Sequence, residues 1–182
     1  MVWRAIYIGW IVSEILIAVL TRTRRGDGDI QDRGTMLLLW ITIFTSLTLS
    51  GFAEAFFPRM FPPSFRLLST VILILGLAIR LFAVLSLGRA FSANVAIRDA
   101  QRFNQAGLYK LVRHPSYLGL LLIFLAIGLH ARNPLSLACA VLPTTAALLY
   151  RIHVEEIALI SAFGQAYETY SAHTKRLVPW IY

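Results

Sequence analysis

Five apolar stretches alternate along the chain with polar, arginine-bearing segments. They run from about Val2 to Leu20, Met36 to Phe57, Leu67 to Leu87, Tyr117 to His130 and Pro134 to Tyr150. A bilayer core of about 30 Å is crossed by about 20 apolar residues in a helix, so the first three read as spans. The last two are short and separated only by Ala131-Arg132-Asn133, a link that predicts an antiparallel helical hairpin. The fourth is marginal in length and calls for an earlier start, a tilt or a locally thinned membrane. Ser92 to Val112 is too polar to span, and the aromatic and basic mixture from Phe163 to Trp180 suits a short helix in the headgroup layer. The pattern predicts an all-α fold: a polytopic integral membrane protein with about five transmembrane helices, the last two a hairpin, plus short cytoplasmic helices.

Composition supports the pattern. Of 182 residues, 58% are hydrophobic and only 14% charged, against about 25% in ordinary soluble domains. Mean hydropathy is +0.69. That excludes a water-soluble globular enzyme and a disordered chain, and a single cysteine excludes a disulfide scaffold. The net charge of +8 would suggest nucleic acid in a soluble protein. Here the cations punctuate apolar runs with no aromatic-interleaved basic stripe, so anionic headgroups are the expected partner and nucleic acid is not.

The cations also orient the spans. Arg22, Arg24, Arg25 and Arg33 lie in the first loop, Arg89, Arg98, Arg102, Lys110 and Arg113 before the fourth span, and Arg151, Lys175 and Arg176 in the tail. The opposite side holds Arg4, Arg59, Arg66 and Arg132. Positive charge stays cytoplasmic, which puts the amino end outside and the carboxyl end inside. The first stretch lacks a small-x-small cleavage site and ends in Thr21-Arg22-Thr23-Arg24-Arg25, so it reads as a mature helix with a stop-transfer flank.

Three ionisable residues fall within the spans: Glu14, Glu54 and Arg80. Such a group is a functional candidate by default, since leaving it unpaired in lipid is expensive. Glu54 lies near a span end, where an interfacial role suffices. For Glu14 and Arg80, function and helix locking stay open. His114, His130, His153 and His173 lack metal-ligand spacing with one another or with Cys139, and no dinucleotide fingerprint or nucleophile elbow is present. In Arg113-His114-Pro115-Ser116-Tyr117-Leu118-Gly119, Pro115 suits the first turn of a helix and Gly119 admits a close approach by a backbone or cofactor. Arg151 and Glu155 stand four apart and share one helix face. Read alone, these runs fit either a ligand site or interfacial anchors with a solvated ion pair.

In this order and spacing, the runs resemble the isoprenylcysteine carboxyl methyltransferase family. The resemblance rests on Gly107-Leu108-Tyr109-Lys110-Leu111-Val112-Arg113-His114-Pro115-Ser116-Tyr117, the hairpin, Arg151-x-x-x-Glu155-Glu156, Phe163-Gly164-x-x-Tyr167-x-x-Tyr170 and Arg176-Leu177-Val178-Pro179. It covers roughly residues 88 to 180 and implies a methyltransferase region in 88–182, which joins the three spans of 1–87 in the single membrane domain over 1–182 that the chain length allows. It further implies transfer of a methyl group from S-adenosylmethionine to a lipophilic carboxylate, such as an isoprenylcysteine, at the cytoplasmic face of a bacterial plasma membrane or endoplasmic reticulum. Carried over, the cofactor residues are Asn94, Gln101, Arg102, Phe103, Asn104, Tyr109, His114, Pro115, Ser116, Tyr117 and Glu155, and Arg151 faces the acceptor carboxylate. The stretch Gln101 to Asn104 departs from the family's usual His-x-Leu-Val.

A carboxylate is ionised at pH 7 and a sulfonium is already electrophilic, so alignment and removal of water suffice and no general base or metal is called for. An amine acceptor would instead need a carboxylate such as Glu156 to take a proton. Three other readings compete: methylation of phospholipid or other lipid amines, an NADPH-dependent sterol-reductase-like protein, whose relatives are considerably longer, and a non-enzymatic membrane protein that kept the scaffold. A lipid-facing slot beside the fourth and fifth helices is what the family implies for the acceptor.

Overall fold

The computed structural model describes residues 2–21, 29–30, 34–88, 96–97, 103–179 and 181–182. Within them lie α1 (Val2–Leu20), α2 (Thr35–Phe56), α3 (Phe65–Leu87), α4 (Pro115–His130), α5 (Pro134–Phe163) and α6 (Gln165–His173). The loops add a two-residue antiparallel pairing of β1 (Asp29–Ile30) with β2 (Ala96–Ile97), and Gly107–Lys110 forms one turn of 3-10 helix. Each of the five expected apolar stretches forms a helix. Four, α1, α2, α3 and α5, are long and apolar enough to cross a membrane. Their outer faces expose side chains such as Ile8, Val12, Ile41, Phe44, Val71 and Leu85, which lipid would cover.

Two boundaries differ from the hydropathy pattern. α4 starts at Pro115, because proline at the first helical position has φ already set and lacks only an N–H that would go unpaired. Its 16 residues span roughly 24 Å. Lipid does not set that length, since α4 packs against α3 and α5 with Leu120, Ile123, Phe124 and Ala126 fully buried. α5 runs 30 residues to Phe163, well past Tyr150. The hydropathy signal stops at Arg151, but the helix continues because Arg151 and Glu156 are buried against other protein groups.

Small residues let the helices close. A Cβ on Gly119 would lie 2.7 Å from the backbone of Gly76 and of Arg80, so the close approach predicted at Gly119 is that of α3. A Cβ on Gly128 would meet Leu137 Cα at 2.6 Å across the hairpin. Asn133 caps α5, accepting from Leu135 N at 2.8 Å and Ser136 N at 3.1 Å, and donates to Pro58 O at 2.9 Å. Arg132 takes a left-handed φ of 59°, and its carbonyl accepts from Met60 N and Phe61 N, docking the α2–α3 loop on the hairpin. In the core, Trp10 of α1 meets Phe124 edge-on at 5.8 Å.

Glu14 and Arg80 lock helices. Arg80 donates from Nε to Glu14 Oε1 and from Nη2 to Glu14 Oε2, both at 2.7 Å, and from Nη1 to Ser116 Oγ at 2.5 Å. Trp10 Nε1 adds a bond to Glu14 Oε1 at 3.2 Å. The pair ties α1 to α3 and to the first turn of α4. Glu54 is exposed at the end of α2, as expected of an interfacial residue.

Candidate active site

The first turn of α4 and the polar half of α5 bring His114, Tyr117, Arg151 and Glu155 together. Tyr117 donates to Glu155 Oε2 at 2.7 Å and accepts from Arg151 Nε at 2.9 Å. Arg151 and Glu155 share a helix face as predicted, but a phenol joins them rather than a solvated ion pair. Arg151 is 2% exposed, and its Nη1 donates to Thr35 Oγ1 at 3.0 Å, so the start of α2 also holds it. The Glu155 side chain is 31% exposed, and its Oε1 accepts no hydrogen bond from the described residues. His114 stacks on Tyr117 with ring centroids 5.6 Å apart, and its Nδ1 lies 3.8 Å from Glu155 Oε2. Its Nε2 is buried 3.5 Å from Glu156 Oε1 and makes no hydrogen bond among the described residues.

A cavity of about 40 Å³ opens beside these groups. Glu14, Arg80, Tyr117 and Arg151 form its polar floor; Ile17 and Ala18 of α1 and Leu39, Trp40 and Ile43 of α2 form apolar walls. Tyr117 and Leu120 of α4 and Arg151 of α5 line the same cavity, so the two closing helices border it together with α1 and α2.

The remaining candidates serve other contacts. Both oxygens of Glu156 are taken, Oε1 by Arg113 Nε at 2.8 Å and Oε2 by Arg176 Nε at 2.9 Å. Arg113 also donates to Ser171 O at 2.7 Å and to Thr174 O. With Arg113 N on Lys175 O and His114 N on Arg176 O, at 2.7 and 3.0 Å, these bonds dock the tail beside the start of α4. Phe103 sits among Phe163, Tyr167 and Tyr170, with centroids 5.2 to 5.5 Å away. Asn104 accepts from Ala106 N at 2.8 Å and donates to Ser86 O at 3.3 Å, pinning its loop to the end of α3. Tyr109 donates to Ala83 O at 3.2 Å, and its carbonyl accepts from Tyr170 at 2.7 Å. Pro115 begins α4, and the Ser116 hydroxyl faces Arg80. Asn94, Gln101 and Arg102 lie outside the described residues.

Burial pushes the phenols of Tyr109 and Tyr167 above their ordinary value and that of Tyr170 up to about 12, so all three are neutral near pH 7. The sequence alone assigns no site role to Arg113, Thr35 or Trp40. Arg113 had a signal, being the cation of the His-Pro run, whereas Thr35 and Trp40 are unremarkable in an apolar span. Among the described residues no group of three or more His, Cys, Asp or Glu is arranged to hold a metal.

Residues 68–161, from α3 to the polar part of α5, match the isoprenylcysteine carboxyl methyltransferase (ICMT) family. A probable protein-S-isoprenylcysteine O-methyltransferase of Oryza sativa subsp. indica is 34% identical over 113 residues, 61% of this chain and 59% of that protein. Methanethiol S-methyltransferase 1 of Bradyrhizobium diazoefficiens is 38% identical over 79 residues, 43% of this chain and 27% of its own length. The solved structure of the eukaryotic intramembrane Ras methyltransferase ICMT aligns with a TM-score of 0.61 at 26% identity, over 78% of this chain and 52% of that one. The chain thus spans little more than half the length of these isoprenylcysteine relatives. The matched segment carries the Tyr117, Arg151 and Glu155 cluster and more than half of the residues, and the chain belongs to the isoprenylcysteine carboxyl methyltransferase family.

Proposed function

We propose that the chain is a membrane methyltransferase that converts the carboxylate of a lipophilic acceptor, such as an isoprenylcysteine, into its methyl ester. The observation that carries this is the Arg151–Tyr117–Glu155 chain of hydrogen bonds beside a cavity with apolar walls. Arg151 orients the acceptor carboxylate through charge-assisted hydrogen bonds. The walls from α1 and α2 receive the apolar chain and strip water from the nucleophile, which needs no base because it is already ionised. The family relatives named above are isoprenylcysteine and methanethiol methyltransferases, which favours methyl transfer over hydride transfer. An amine acceptor is disfavoured because Glu156, the carboxylate that would take its proton, already serves two guanidinium groups.

The expected donor is S-adenosylmethionine, which when bound supplies a sulfonium-activated methyl group. The site residues fit such a ligand on one observation of their own. A partly exposed carboxylate, at Glu155, whose Oε1 accepts no hydrogen bond from the described residues, stands 3.8 Å from Nδ1 of the buried His114 ring that stacks on Tyr117. Glu155 would hold its cationic amine or hydroxyl groups, and His114 and Tyr117 would line the same pocket. The excess of Arg and Lys on the Tyr117 side favours a cytoplasmic site with the amino end outside, in a bacterial plasma membrane or endoplasmic reticulum.

The test is incubation of the purified chain in lipid nanodiscs with methyl-labelled S-adenosylmethionine and an S-farnesylcysteine analogue. Label that base releases as methanol supports the proposal, since amine and thiol products keep theirs. No labelled ester from any lipophilic acid, together with no binding of S-adenosylhomocysteine, overturns it.

A further inference from the structure

The tail after α6 is paired by its backbone to the residues that lead into α4. Lys175 forms a parallel β-bridge with Val112, and its carbonyl and that of Arg176 accept from Arg113 N and His114 N. Beside this pairing lies an open cavity of about 300 Å³, well apart in its lining from the one that holds Tyr117 and Arg151. Arg113, Lys175 and Arg176 line it, together with His173, Ile181 and Tyr182. The three cations are held in place yet keep donors to spare. The Arg113 side chain is only 8% exposed; its Nε serves Glu156 and its Nη1 the carbonyls of Ser171 and Thr174, while its Nη2 donates to no described residue. Arg176 gives Nε to Glu156 and Nη1 to the Tyr182 hydroxyl at 3.0 Å, and its Nη2 has no partner among the described residues. The Lys175 ammonium, on an exposed residue, is likewise without a hydrogen bond or ion pair among them. Glu156 offsets one of the three charges, and the main-chain oxygen of Tyr182 is taken by Leu177 N and Val178 N, both at 2.8 Å, so the cavity stays cationic.

We propose that this cavity binds a phosphate group. Donors on three separate side chains suit a tetrahedral oxyanion, whereas one guanidinium fork already satisfies a planar carboxylate. A bound phosphate bridges Arg113 to Lys175 and Arg176 and clamps the tail against the start of α4. The lining favours a lipid as its source: Ile181 and Tyr182 are exposed, and apolar side chains next to cations are the mixture that settles in a layer of anionic headgroups. The site stands apart from the methyl-transfer reading, since none of its donors is placed in that chemistry.

The test is calorimetry on the full chain in phosphatidylcholine nanodiscs, with dihexanoylphosphatidic acid in one arm and inorganic phosphate in the other. Saturable binding of the phosphatidic acid is expected. Lys175→Gln should weaken it about threefold and Lys175→Glu about tenfold, the scale of partly screened surface pairs. Lys110→Gln and Lys110→Glu make the same charge changes at an exposed lysine outside the cavity and should leave affinity unchanged. Both lysines are exposed, so neither substitution threatens the fold. Binding of the phosphatidic acid alone supports a lipid source; binding of inorganic phosphate with the same pattern among the variants supports the site with a soluble phosphate as its source. Binding of neither probe, or a loss at Lys175→Glu no greater than at Lys110→Glu, overturns the proposal.

Discussion

Tyr117 donates its hydroxyl proton to Glu155 at 2.7 Å across the α4–α5 contact. The same oxygen accepts from Arg151, so one phenol fixes both the cation expected to meet the acceptor and the carboxylate expected to meet the donor. Tyr117→Phe keeps the ring and its stacking on His114 but removes both bonds. Hydrogen bonds to charged groups are worth about 1.5–3 kcal/mol, so methyl transfer should fall roughly 10- to 100-fold, and because Arg151 is buried the melting temperature should fall as well. Initial rates alongside a melting curve check this.

The adjacent acids Glu155 and Glu156 should behave oppositely. Glu156→Gln weakens the charge-assisted bonds from Arg113 and Arg176 that hold the tail beside the start of α4. It should cost about 2 kcal/mol and expose the segment after α6 to protease. Glu155→Gln, on a side chain 31% exposed, should leave the melting temperature alone and weaken S-adenosylhomocysteine binding about tenfold. Limited proteolysis and calorimetry on the two variants separate the roles.

At Gly119 helix propensity and sterics oppose each other. Alanine gains up to about 1 kcal/mol in an open helix. Here its Cβ would stand 2.7 Å from the backbone of α3, which cannot yield as a side chain would. Overpacking of this kind costs about 1–3 kcal/mol, so Gly119→Ala should be destabilising. It should also displace Tyr117, half a turn away, and lower activity. Gly9→Ala is the control, since nothing lies within 4 Å of its new methyl group. Thermal midpoints of the two variants should move in opposite directions.

Alkaline pH should loosen the end formed by α6. Tyr170 is partly buried, and removal from water holds its ionisation up at about 12 against an ordinary value of 10.0. Above pH 10 the unfolded chain loses a proton that the folded one keeps, so stability falls as pH rises. The contribution is full below pH 10 and declines through pH 12. Melting curves from pH 8 to 12 should show the decline, and Tyr170→Phe should shallow it.

Apolar run length alone placed α1, α2 and α3 to within two residues, because lipid rewards any helix of about 20 apolar residues regardless of its neighbours. The same logic located the hairpin, and Pro115 and Gly119 announced a helix start and a close approach. The spacing of Arg151 and Glu155 put them on one face. What run length could not see was polar residues that protein satisfies in place of water. α5 therefore runs on to Phe163, and Glu14 and Arg80, 66 residues apart, form one pair.

Hydropathy along the chain thus determined which segments enter the bilayer, and the ordered polar runs determined the family. Tertiary structure alone decided the partners of each charge. It inserted Tyr117 between Arg151 and Glu155, gave Glu156 to Arg113 and Arg176, and built the apolar walls of the cavity from α1 and α2. The reason is that a helix face fixes only direction, whereas a hydrogen bond needs two atoms within about 3 Å, and those atoms come from segments whose separation in sequence carries no record of the meeting.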